Sequence, residues 1–352
     1  MINGKVLIGM SGGVDSSVAA FLMKAQGLDC VGATMRLWDK EAPDTSAEDA
    51  RSVAQRLGIP FFELPFQEEF EETVIRSFIQ TYQQGRTPNP CIQCNRHLKF
   101  GRLLRKALEL GCTHVVSGHY ARIRRDPDTG RYLLYKAADS AKDQSYFLAC
   151  LDQEQLAHTL FPLGELTKQE VRAIAEENGF VNARKRDSQD ICFVPDGDYA
   201  SFIARHTGIP HVPGNYLDRE GNILGTHCGA MCYTLGQRKG LGIALGAPAY
   251  VCGKDMERNT VTLGPNEALF SRGLLAKDWN WYPFPALTEP MAVTAKIRHS
   301  QRQVNATVYP DDNGLARVEF GESQRAVTPG QAVVLYQEDM VIGGGTIVSS
   351  YI

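Results

Sequence analysis

A glycine- and serine-rich segment near the amino terminus has the composition of an anion-binding loop. Residues 9–17 read GMSGGVDSS and lie between a predicted strand and a predicted helix. In that position, backbone N–H groups and the positive end of the helix face a bound anion. Gly12 and Gly13 let the backbone approach phosphate oxygens, and the serines add hydroxyl donors. The segment therefore predicts a phosphate site, with Asp15 as a carboxylate for magnesium or water.

This segment lacks the G-K-[ST] sequence of a Walker loop, so no lysine of that kind reaches a γ-phosphate. A loop that binds pyrophosphate as a leaving group suits cleavage between the α- and β-phosphates of ATP, which transfers AMP to a substrate. The pattern S-G-G-x-D-S resembles that of the pyrophosphate-loop ATPases, which include amide-forming synthetases and tRNA-modifying enzymes. A second glycine-rich run, residues 240–246, has the wrong spacing and position for a dinucleotide-binding fingerprint.

Two cysteine segments could supply nucleophilic sulfur. Residues 87–95 read TPNPCIQCN and precede a predicted helix that carries Arg96, His97 and Lys99. A cysteine near a helix N-terminus and close to cations is expected to shift toward thiolate, which predicts a reactive Cys94. Cys192, downstream of the basic residues 184–186, is the second candidate. Spacing alone does not show that the two cysteines meet.

Several further segments occur in a recognisable order along essentially the whole chain. They are SGHY (117–120), KDQSYFL (142–148), FPLGEL (161–166), DICF (190–193), YTLGQRKGLGI (233–243), TPGQ (328–331) and GGG (343–345). Together with the loop and the cysteine segments, they resemble the bacterial tRNA-specific 2-thiouridylases. The resemblance implies ATP-dependent adenylation of O2 of a wobble uridine, followed by transfer of sulfur to that uridine.

The resemblance also implies a role for individual residues. ATP would contact Gly9, Met10, Ser11, Gly12, Gly13, Val14, Asp15, Ser16, Met35 and Gly118. A uridine flipped out of the anticodon stack would lie against Asn89, Pro90 and Cys91. Cys192 would carry a persulfide and Cys94 would be the nucleophile, leaving a disulfide that is reduced in each turnover. Contacts to tRNA would come from His119, Lys142, Asp143, Gln144, Arg298, His299 and Gln331.

The implied partners are ATP with Mg²⁺, the tRNAs for glutamate, glutamine and lysine, and a persulfide-donating sulfur carrier or cysteine desulfurase. Many family members have aspartate where this chain has Cys91. Cys91, Cys94 and Cys192 could then converge and hold an iron–sulfur cluster. A zinc site that joins Cys91 and Cys94 to Cys228 and Cys232 is a weaker alternative. His299 stands where a tyrosine is frequent, so stacking on tRNA is expected to be weaker there.

The elements that position these residues alternate over about the first 200 residues. Strands are predicted at residues 5–10, 30–37, 61–64 and 113–117, and helices at 16–24, 47–57, 69–82 and 98–110. This alternation predicts an α/β domain, residues 1–200, with a parallel sheet of the pyrophosphate-loop (adenine nucleotide alpha hydrolase-like) type. A small mixed or β-rich central domain is predicted at 201–272. A C-terminal β-barrel or sandwich, with the barrel preferred, is predicted at 273–352.

The amino-acid composition does not decide whether the protein binds nucleic acid. The 352 residues carry a formal net charge of −3 and are 43% hydrophobic, which fits a globular protein but gives no sign of nucleic-acid binding. No signal peptide and no apolar run of about 20 residues is seen, so a monomeric cytoplasmic protein without membrane attachment is expected. An amide-forming synthetase and a non-catalytic tRNA-binding protein remain alternatives. The first would not need paired cysteines, and the second would not need an intact loop with Asp15.

Overall fold

The computed structural model describes residues 4–38, 45–185 and 191–352. In that part of the chain, the strands are β1 (Lys5–Gly9), β2 (Asp29–Arg36), β3 (Phe61–Pro65), β4 (His114–Val116), β5 (Arg122–Arg125), β6 (Tyr132–Tyr135), β7 (Thr159–Leu160), β8 (Gly214–Leu217), β9 (Ile223–His227), β10 (Tyr250–Asp255), β11 (Thr260–Gly264), β12 (Phe270–Trp281), β13 (Met291–Lys296), β14 (Val304–Pro310), β15 (Ala316–Arg325), β16 (Ala332–Gln337) and β17 (Met340–Tyr351).

The helices of the described residues lie mostly in the first 210 positions. They are α1 (Val14–Ala25), α2 (Ser46–Leu57), α3 (Gln67–Phe70), α4 (Arg76–Gln83), α5 (Pro90–Cys94), α6 (Leu103–Glu109), α7 (Ser145–Leu148), α8 (Gln153–Ala157), α9 (Lys168–Glu177) and α10 (Tyr199–Thr207). A π-helical stretch, Glu71–Ile75, joins α3 to α4, and a second one, Asn95–Arg102, joins α5 to α6. None of the described helices is both long enough and apolar enough to cross a membrane.

The first domain contains a parallel sheet with strand order β3-β2-β1-β4-β7. Val6, Leu7 and Ile8 of the central strand are fully buried, as expected for a strand covered on both faces. Strand order reverses between β1 and β4. In open α/β sheets, ligands bind at that reversal, beyond the carboxyl ends of the strands. The sheet therefore places its crevice next to residues 9–17 and 117–120.

Most of the predicted elements of this domain are confirmed. One boundary is wrong: the helix predicted from residue 98 begins at Pro90 instead. Asn89 is the N-cap, since its side chain accepts a hydrogen bond from the Ile92 N–H at 3.4 Å, and proline fits the first helical position. Cys94 consequently lies a full turn inside a helix rather than at its start.

The rest of the chain is built from two β-structures. A four-stranded sheet has the order β10-β11-β8-β9, and its core includes Tyr216, Val251 and Val261. Strands β12, β15, β14, β13, β16 and β17 pair in that order, and β17 pairs with β12. This last pairing closes the sheet, so the C-terminal structure is a barrel and not a sandwich.

A hairpin from the first domain extends the barrel sheet. Strands β5 and β6 pair with each other, and Tyr135 of β6 pairs with Met340 of β17. Buried tyrosines add side-chain contacts, because the Tyr146 hydroxyl donates to the Ala332 carbonyl at 2.9 Å and the Tyr282 hydroxyl donates to the Leu151 carbonyl at 3.0 Å. The barrel is thus joined to the first domain close to residues 142–148.

Candidate active site

One cleft of about 1320 Å³ lies at the carboxyl edge of the parallel sheet. It is bordered by the loop after β1, the residues after β4, the start of α5 and the segment that contains Cys192. Of the residues predicted to be functional, those that line it are Gly9, Met10, Ser11, Gly13, Val14, Asp15, Ser16, Met35, Pro90, Cys91, Cys94, Gly118, His119, Lys142, Gln144, Cys192 and His299. The tertiary structure therefore brings the phosphate loop and all three candidate cysteines to one cavity.

Hydroxyl groups hold the loop in shape. The Ser16 hydroxyl accepts a hydrogen bond from the Ser11 N–H at 3.2 Å and donates to the Gly13 carbonyl at 3.1 Å. The Ser17 hydroxyl also donates to the Gly13 carbonyl at 3.1 Å. Because Gly13 caps α1 without a side chain, the N–H groups of the first helical turn stay available to an anion in the cleft.

Gly12 and Asn182 fix the outer side of the same loop. Gly12 has a φ of +73°, and a Cβ at this position would lie 2.1 Å from the Ser46 carbonyl oxygen, so a larger residue does not fit. The buried Asn182 amide donates to the Gly12 carbonyl at 3.0 Å and to the Ser17 hydroxyl at 2.9 Å. Gly12 thus shapes the loop from behind the cleft, and it is not among the residues that line the cavity.

Asp15 has a partner that the sequence did not suggest. The Lys168 ammonium lies 2.7 Å from Asp15 Oδ1 and 2.8 Å from Oδ2, and the Tyr120 hydroxyl donates to Oδ1 at 2.8 Å. Lys168 begins α9 and is only 8% exposed. Its charge compensates the carboxylate, which is therefore not a free ligand for magnesium. Nothing in the described part of the chain forms a group of three or more His, Cys, Asp or Glu side chains that could hold a metal ion.

Gly118 lies directly against the start of α1. A Cβ on Gly118 would be 2.7 Å from the Asp15 carbonyl carbon and from the Ser16 nitrogen. A glycine is needed here because the backbone after β4 packs on the backbone of the phosphate loop. The two loops form one continuous wall of the cleft.

The three cysteines line the same cleft, and desolvation opposes their ionisation, although only Cys94 is a buried residue and Cys91 and Cys192 are exposed at its surface. Desolvation raises the pKa of the Cys94 thiol, with Lys99 lowering it and Cys91 raising it. Burial likewise raises the pKa of Cys91. The pKa of Cys192 is raised to about 12, chiefly by desolvation and then by Cys94 and Cys91. The predicted shift of Cys94 toward thiolate is thus wrong for this structure, because loss of hydration outweighs the nearby cation.

An iron–sulfur cluster does not fit these cysteines as they stand. Cys91 raises the pKa of Cys94, and both raise that of Cys192, but neither they nor any other three His, Cys, Asp or Glu side chains within residues 4–38, 45–185 and 191–352 form a metal-holding group. The zinc alternative fails for the same reason. Cys228 and Cys232 lie in the four-stranded-sheet region instead, where the Cys228 thiol contacts the Tyr233 hydroxyl at 3.4 Å. No step is derived through either metal.

Family models match three successive parts of the chain. Residues 4–196 match a model described as the tRNA methyl transferase HUP domain. Residues 200–265 match the tRNA methyl transferase PRC-barrel domain, and residues 271–347 match the aminomethyltransferase beta-barrel domain. A protein named tRNA-specific 2-thiouridylase MnmA, from Clostridioides difficile (strain 630), is 49% identical over 358 residues, which cover 99% of each chain.

The chain belongs to the tRNA-specific 2-thiouridylase family. A relative of the same name from Heliobacterium modesticaldum is 51% identical over 354 residues, covering 97% of this chain and 92% of that protein. Another, from Acetivibrio thermocellus, is 50% identical over 358 residues, covering 99% of this chain and all of that protein. Membership of this family thus extends over the whole chain and is not limited to the ATPase domain.

The residues that family resemblance assigned to tRNA fall into two groups. His119, Lys142, Gln144 and His299 line the cleft, whereas Asp143, Arg298 and Gln331 do not. The Asp143 carboxylate accepts hydrogen bonds from the Ala137 and Ser145 N–H groups, each at 3.1 Å, so it stabilises its own turn. Contact of these seven residues with tRNA remains a prediction.

Gln331 and Arg298 have backbone partners. The Gln331 amide donates to the Thr87 carbonyl at 3.2 Å and to the Pro88 carbonyl at 2.9 Å, which ties the barrel to the segment before Cys91. The Arg298 guanidinium donates to the Arg325 carbonyl. Asn89, predicted to touch the target base, is the helix cap described above and is not a lining residue. These side chains support the cleft from outside in the present structure.

Two imidazoles face the cleft in different settings. Burial, and then Lys99, hold the pKa of His119 well below its usual value, so its ring is neutral, and its Nδ1 lies 2.7 Å from the Ser117 hydroxyl. A neutral ring can recognise a base or ribose group but does not neutralise phosphate. His299 stacks on Phe147 with 4.5 Å between ring centroids. The stack offers an aromatic surface inside the cleft.

Lys168, Asn182 and Asn95 are site residues that sequence analysis missed. The Asn95 side chain is buried, and its amide donates to the Phe147 carbonyl at 3.1 Å. Asn95 was included only as the last residue of the cysteine segment and was given no role. Lys168 lies two residues after the FPLGEL motif and was not singled out. The pattern that could have drawn attention to Lys168 is the capping box of Thr167 and Glu170, because it marks Lys168 as the first residue of α9. Of the predicted basic run, Lys185 pairs with Asp49 at 2.8 Å, and Arg186 lies outside the described residues.

Proposed function

We propose that this protein converts uridine to 2-thiouridine in tRNA, using ATP to activate the base and a cysteine-bound persulfide to supply sulfur. The observation that carries the proposal is the single cleft that holds both the phosphate loop and Cys91, Cys94 and Cys192. The names of the full-length relatives agree with it. The family models are described as methyl transferases, but methyl transfer requires neither a pyrophosphate-type loop nor paired cysteines.

In the first step, the wobble uridine O2 attacks the α-phosphate of ATP. A P–O bond forms to the base, the bond between the α- and β-phosphates breaks, and pyrophosphate leaves. The loop N–H groups and the start of α1 stabilise the charge of the leaving pyrophosphate. Met35 and Gly118 would line the nucleotide site. Lys168 holds Asp15 in place, which keeps the first turn of α1 in a fixed orientation.

In the second step, the terminal sulfur of a persulfide on Cys192 replaces the adenylated oxygen at C2, and AMP leaves. The Cys94 thiolate then attacks the Cys192 sulfur, which breaks the S–S bond to the transferred sulfur and forms a Cys94–Cys192 disulfide. Attack of Cys94 before transfer would instead release hydrosulfide, which then attacks C2. Either order gives 2-thiouridine and the same disulfide, and two electrons and two protons from an external dithiol restore the cysteines.

The finer assignments belong to this proposal. Magnesium would arrive bound to the phosphates of ATP, where it neutralises the charge of pyrophosphate. The expected substrates are the tRNAs for glutamate, glutamine and lysine, and the expected donor is a sulfur carrier or cysteine desulfurase that delivers a persulfide to Cys192. Cys192 is exposed, which such a delivery requires. A monomer acting in the cytoplasm remains the expectation.

An amide-forming synthetase is the second candidate, since it would use the same loop. Such an enzyme attacks the adenylate with an amine and has no use for three cysteines at the end of the cleft. ATP–pyrophosphate exchange measured with and without unmodified tRNA separates the two. Exchange that depends on tRNA supports thiolation, whereas exchange that depends on a small carboxylic acid supports amide formation.

The decisive experiment supplies the anaerobically purified protein with ATP, magnesium, a persulfide donor and unmodified glutamate tRNA. The tRNA is then digested, and 2-thiouridine is measured by mass spectrometry. The wild type is expected to form it, whereas Cys94→Ser and Cys192→Ser are expected to form none. Cys228→Ser is the matched control, because Cys228 is also exposed but lies in another domain, and it is expected to retain full activity.

Each failure has a separate meaning. Thiolation that survives Cys192→Ser would remove the persulfide role from Cys192. Release of pyrophosphate without thiolation would leave adenylation intact and place the fault in the sulfur step or its donor. Iron in the anaerobic protein, measured together with visible charge-transfer absorption, would revive the cluster that the present cysteine arrangement does not support.

A further inference from the structure

Lys99 is a cation that all three cysteines of the cleft share. It lines the cavity with Cys91, Cys94 and Cys192. Its charge acts on each thiol in the direction that favours ionisation, against the larger effect of burial. Among residues 4–38, 45–185 and 191–352, no carboxylate is found within ion-pair distance of the Lys99 ammonium. Its charge is therefore directed at the sulfur end of the cleft.

The backbone explains why Lys99 faces Cys94. The stretch Asn95–Arg102 is π-helical, and at its end the Leu103 N–H donates to the Leu98 carbonyl, five residues earlier. In such a helix each N–H bonds to the carbonyl five residues earlier, so residues five apart lie closer to one face than they do in an α-helix. Lys99 is five residues after Cys94. In an α-helix, five residues turn through about 140° beyond a full turn, which would point Lys99 away from the cysteines.

Gly101 shows how the wide turn is accommodated. A Cβ on Gly101 would lie 2.8 Å from the Arg96 carbonyl oxygen, so a glycine lets the chain pass close to that carbonyl. The same carbonyl accepts a hydrogen bond from the Gln155 amide at 2.8 Å. π-helical turns are rare and are found frequently at functional sites. Here the turn has a definite consequence, the placement of a lysine among thiols.

The sulfur chemistry needs that charge. Each mechanism passes through anionic sulfur, as a thiolate on the buried Cys94 and as a persulfide anion on Cys192. His119, whose ring is neutral, lies close enough to Lys99 for the two to interact, and Lys142 lines the same cavity. Cys150 lies behind Cys94, and burial raises its pKa to about 12. Arg96 is turned away, since its guanidinium donates to the Cys150 carbonyl at 3.3 Å.

We propose that Lys99 supplies the positive charge that stabilises anionic sulfur on Cys94 and Cys192 during sulfur transfer. The proposal rests on the proposed function, but it assigns Lys99 to the second half-reaction and not to adenylation. It predicts that the charge matters more than the shape of the side chain. Lys99→Met removes the charge while keeping a long apolar stem, and Lys99→Arg keeps the charge.

The first test measures the thiols without tRNA. Alkylation of Cys192 and Cys94 by iodoacetamide is followed from pH 7 to 10 by peptide mass spectrometry. In Lys99→Met, both are expected to react about tenfold more slowly at a given pH, equivalent to about one pKa unit, and Lys99→Arg is expected to restore most of the rate. Cys228, exposed in another domain, is the internal control and should be unaffected. Unchanged alkylation of both cleft cysteines would overturn the proposal.

The second test compares the two half-reactions on tRNA. In Lys99→Met, 2-thiouridine formation is expected to fall at least tenfold further than tRNA-dependent ATP–pyrophosphate exchange. Lys106→Met, which changes a half-buried lysine of α6 paired with Glu109, is the matched control and should affect neither. Equal losses in both half-reactions would contradict the assignment to sulfur transfer. If the wild type forms no 2-thiouridine, the sulfur step of the proposed function fails, and the alkylation result still decides whether Lys99 acts on the cysteines.

Discussion

The ammonium of Lys168 lies 2.7 Å from one carboxylate oxygen of Asp15 and 2.8 Å from the other. The two residues are separated by most of the first domain in sequence, yet Lys168 at the start of α9 meets Asp15 in the first turn of the phosphate-loop helix. The pair is mostly buried, with side-chain exposures of 10% and 30%. A buried ion pair of this kind leaves a costly unpaired charge when one partner is removed.

Lys168→Met should weaken both folding and ATP use. Loss of the partner of Asp15 is expected to lower the free energy of unfolding by about 1–3 kcal/mol and ATP–pyrophosphate exchange by at least tenfold. Denaturant unfolding and the exchange assay measure the two effects. The double variant with Asp15→Asn should lose less than the sum of the single losses, because the two residues form one interaction. Additive losses would argue that the pair has no joint role.

Gly12→Ala and Gly13→Ala should differ sharply, although the glycines are adjacent. A methyl group at Gly12 meets the Ser46 carbonyl at 2.1 Å on a backbone with positive φ, whereas at Gly13 the nearest atom is the Ser11 hydroxyl at 3.4 Å. Gly12→Ala is expected to destabilise the protein by several kcal/mol, and Gly13→Ala by less than about 1 kcal/mol. Thermal unfolding of the two variants tests this, and equal melting temperatures would contradict it.

Asn182→Ala should loosen the phosphate loop, although Asn182 itself does not line the cleft. The change leaves the buried Gly12 carbonyl and Ser17 hydroxyl without their amide donor, at an expected cost of about 1–3 kcal/mol. The KM for ATP should rise more than kcat falls, since the loop must be ordered on binding. Asn178→Ala is a suitable control, because its amide donates to the Ile174 carbonyl within its own helix end and not to the phosphate loop. Steady-state exchange kinetics at several ATP concentrations would reveal the difference.

Sulfur transfer should depend on pH more steeply than adenylation does. Burial raises the pKa of Cys94 and raises that of Cys192 to about 12, so both are thiols at pH 7. Below a thiol pKa, the thiolate fraction grows about tenfold per pH unit. Single-turnover formation of 2-thiouridine is therefore expected to rise from pH 7 to 9, while ATP–pyrophosphate exchange changes little. Thiolation that is independent of pH over this range would show that deprotonation of a cysteine does not limit it.

Local patterns were enough to predict most of the first domain. Short apolar runs gave β1 to β4, and the helix predicted at 47–57 does end there, followed by Gly58 with a φ of +63°. The phosphate loop could also be predicted, because its function depends on consecutive residues at one strand–helix turn. The start of α5 was missed, since residues 87–95 were placed before the predicted helix, although Asn89 is its cap and Pro90 its first residue.

Contacts between distant parts of the chain could not be predicted in this way. The Lys168–Asp15 pair, the Asn182 bonds and the pairing of Tyr135 with Met340 join residues more than 150 positions apart. No periodicity in the sequence encodes which helix start meets which loop. The protonation of Cys94 was mispredicted for the same reason, because desolvation depends on all the atoms packed around the sulfur.

By itself, the sequence determined the anion-binding loop, the αβ alternation of the first domain, the β-rich remainder and the cysteines that could carry sulfur. These properties follow from residue types and short spacings. Only the tertiary structure decided that Cys94 and Cys192 share one cleft with the phosphate loop, that Asp15 is bound by Lys168, and that Lys99 faces the thiols. The physical reason is that burial and electrostatic interaction depend on distances through space, and those exist only once the sheet, the π-helical turn and the barrel have packed together.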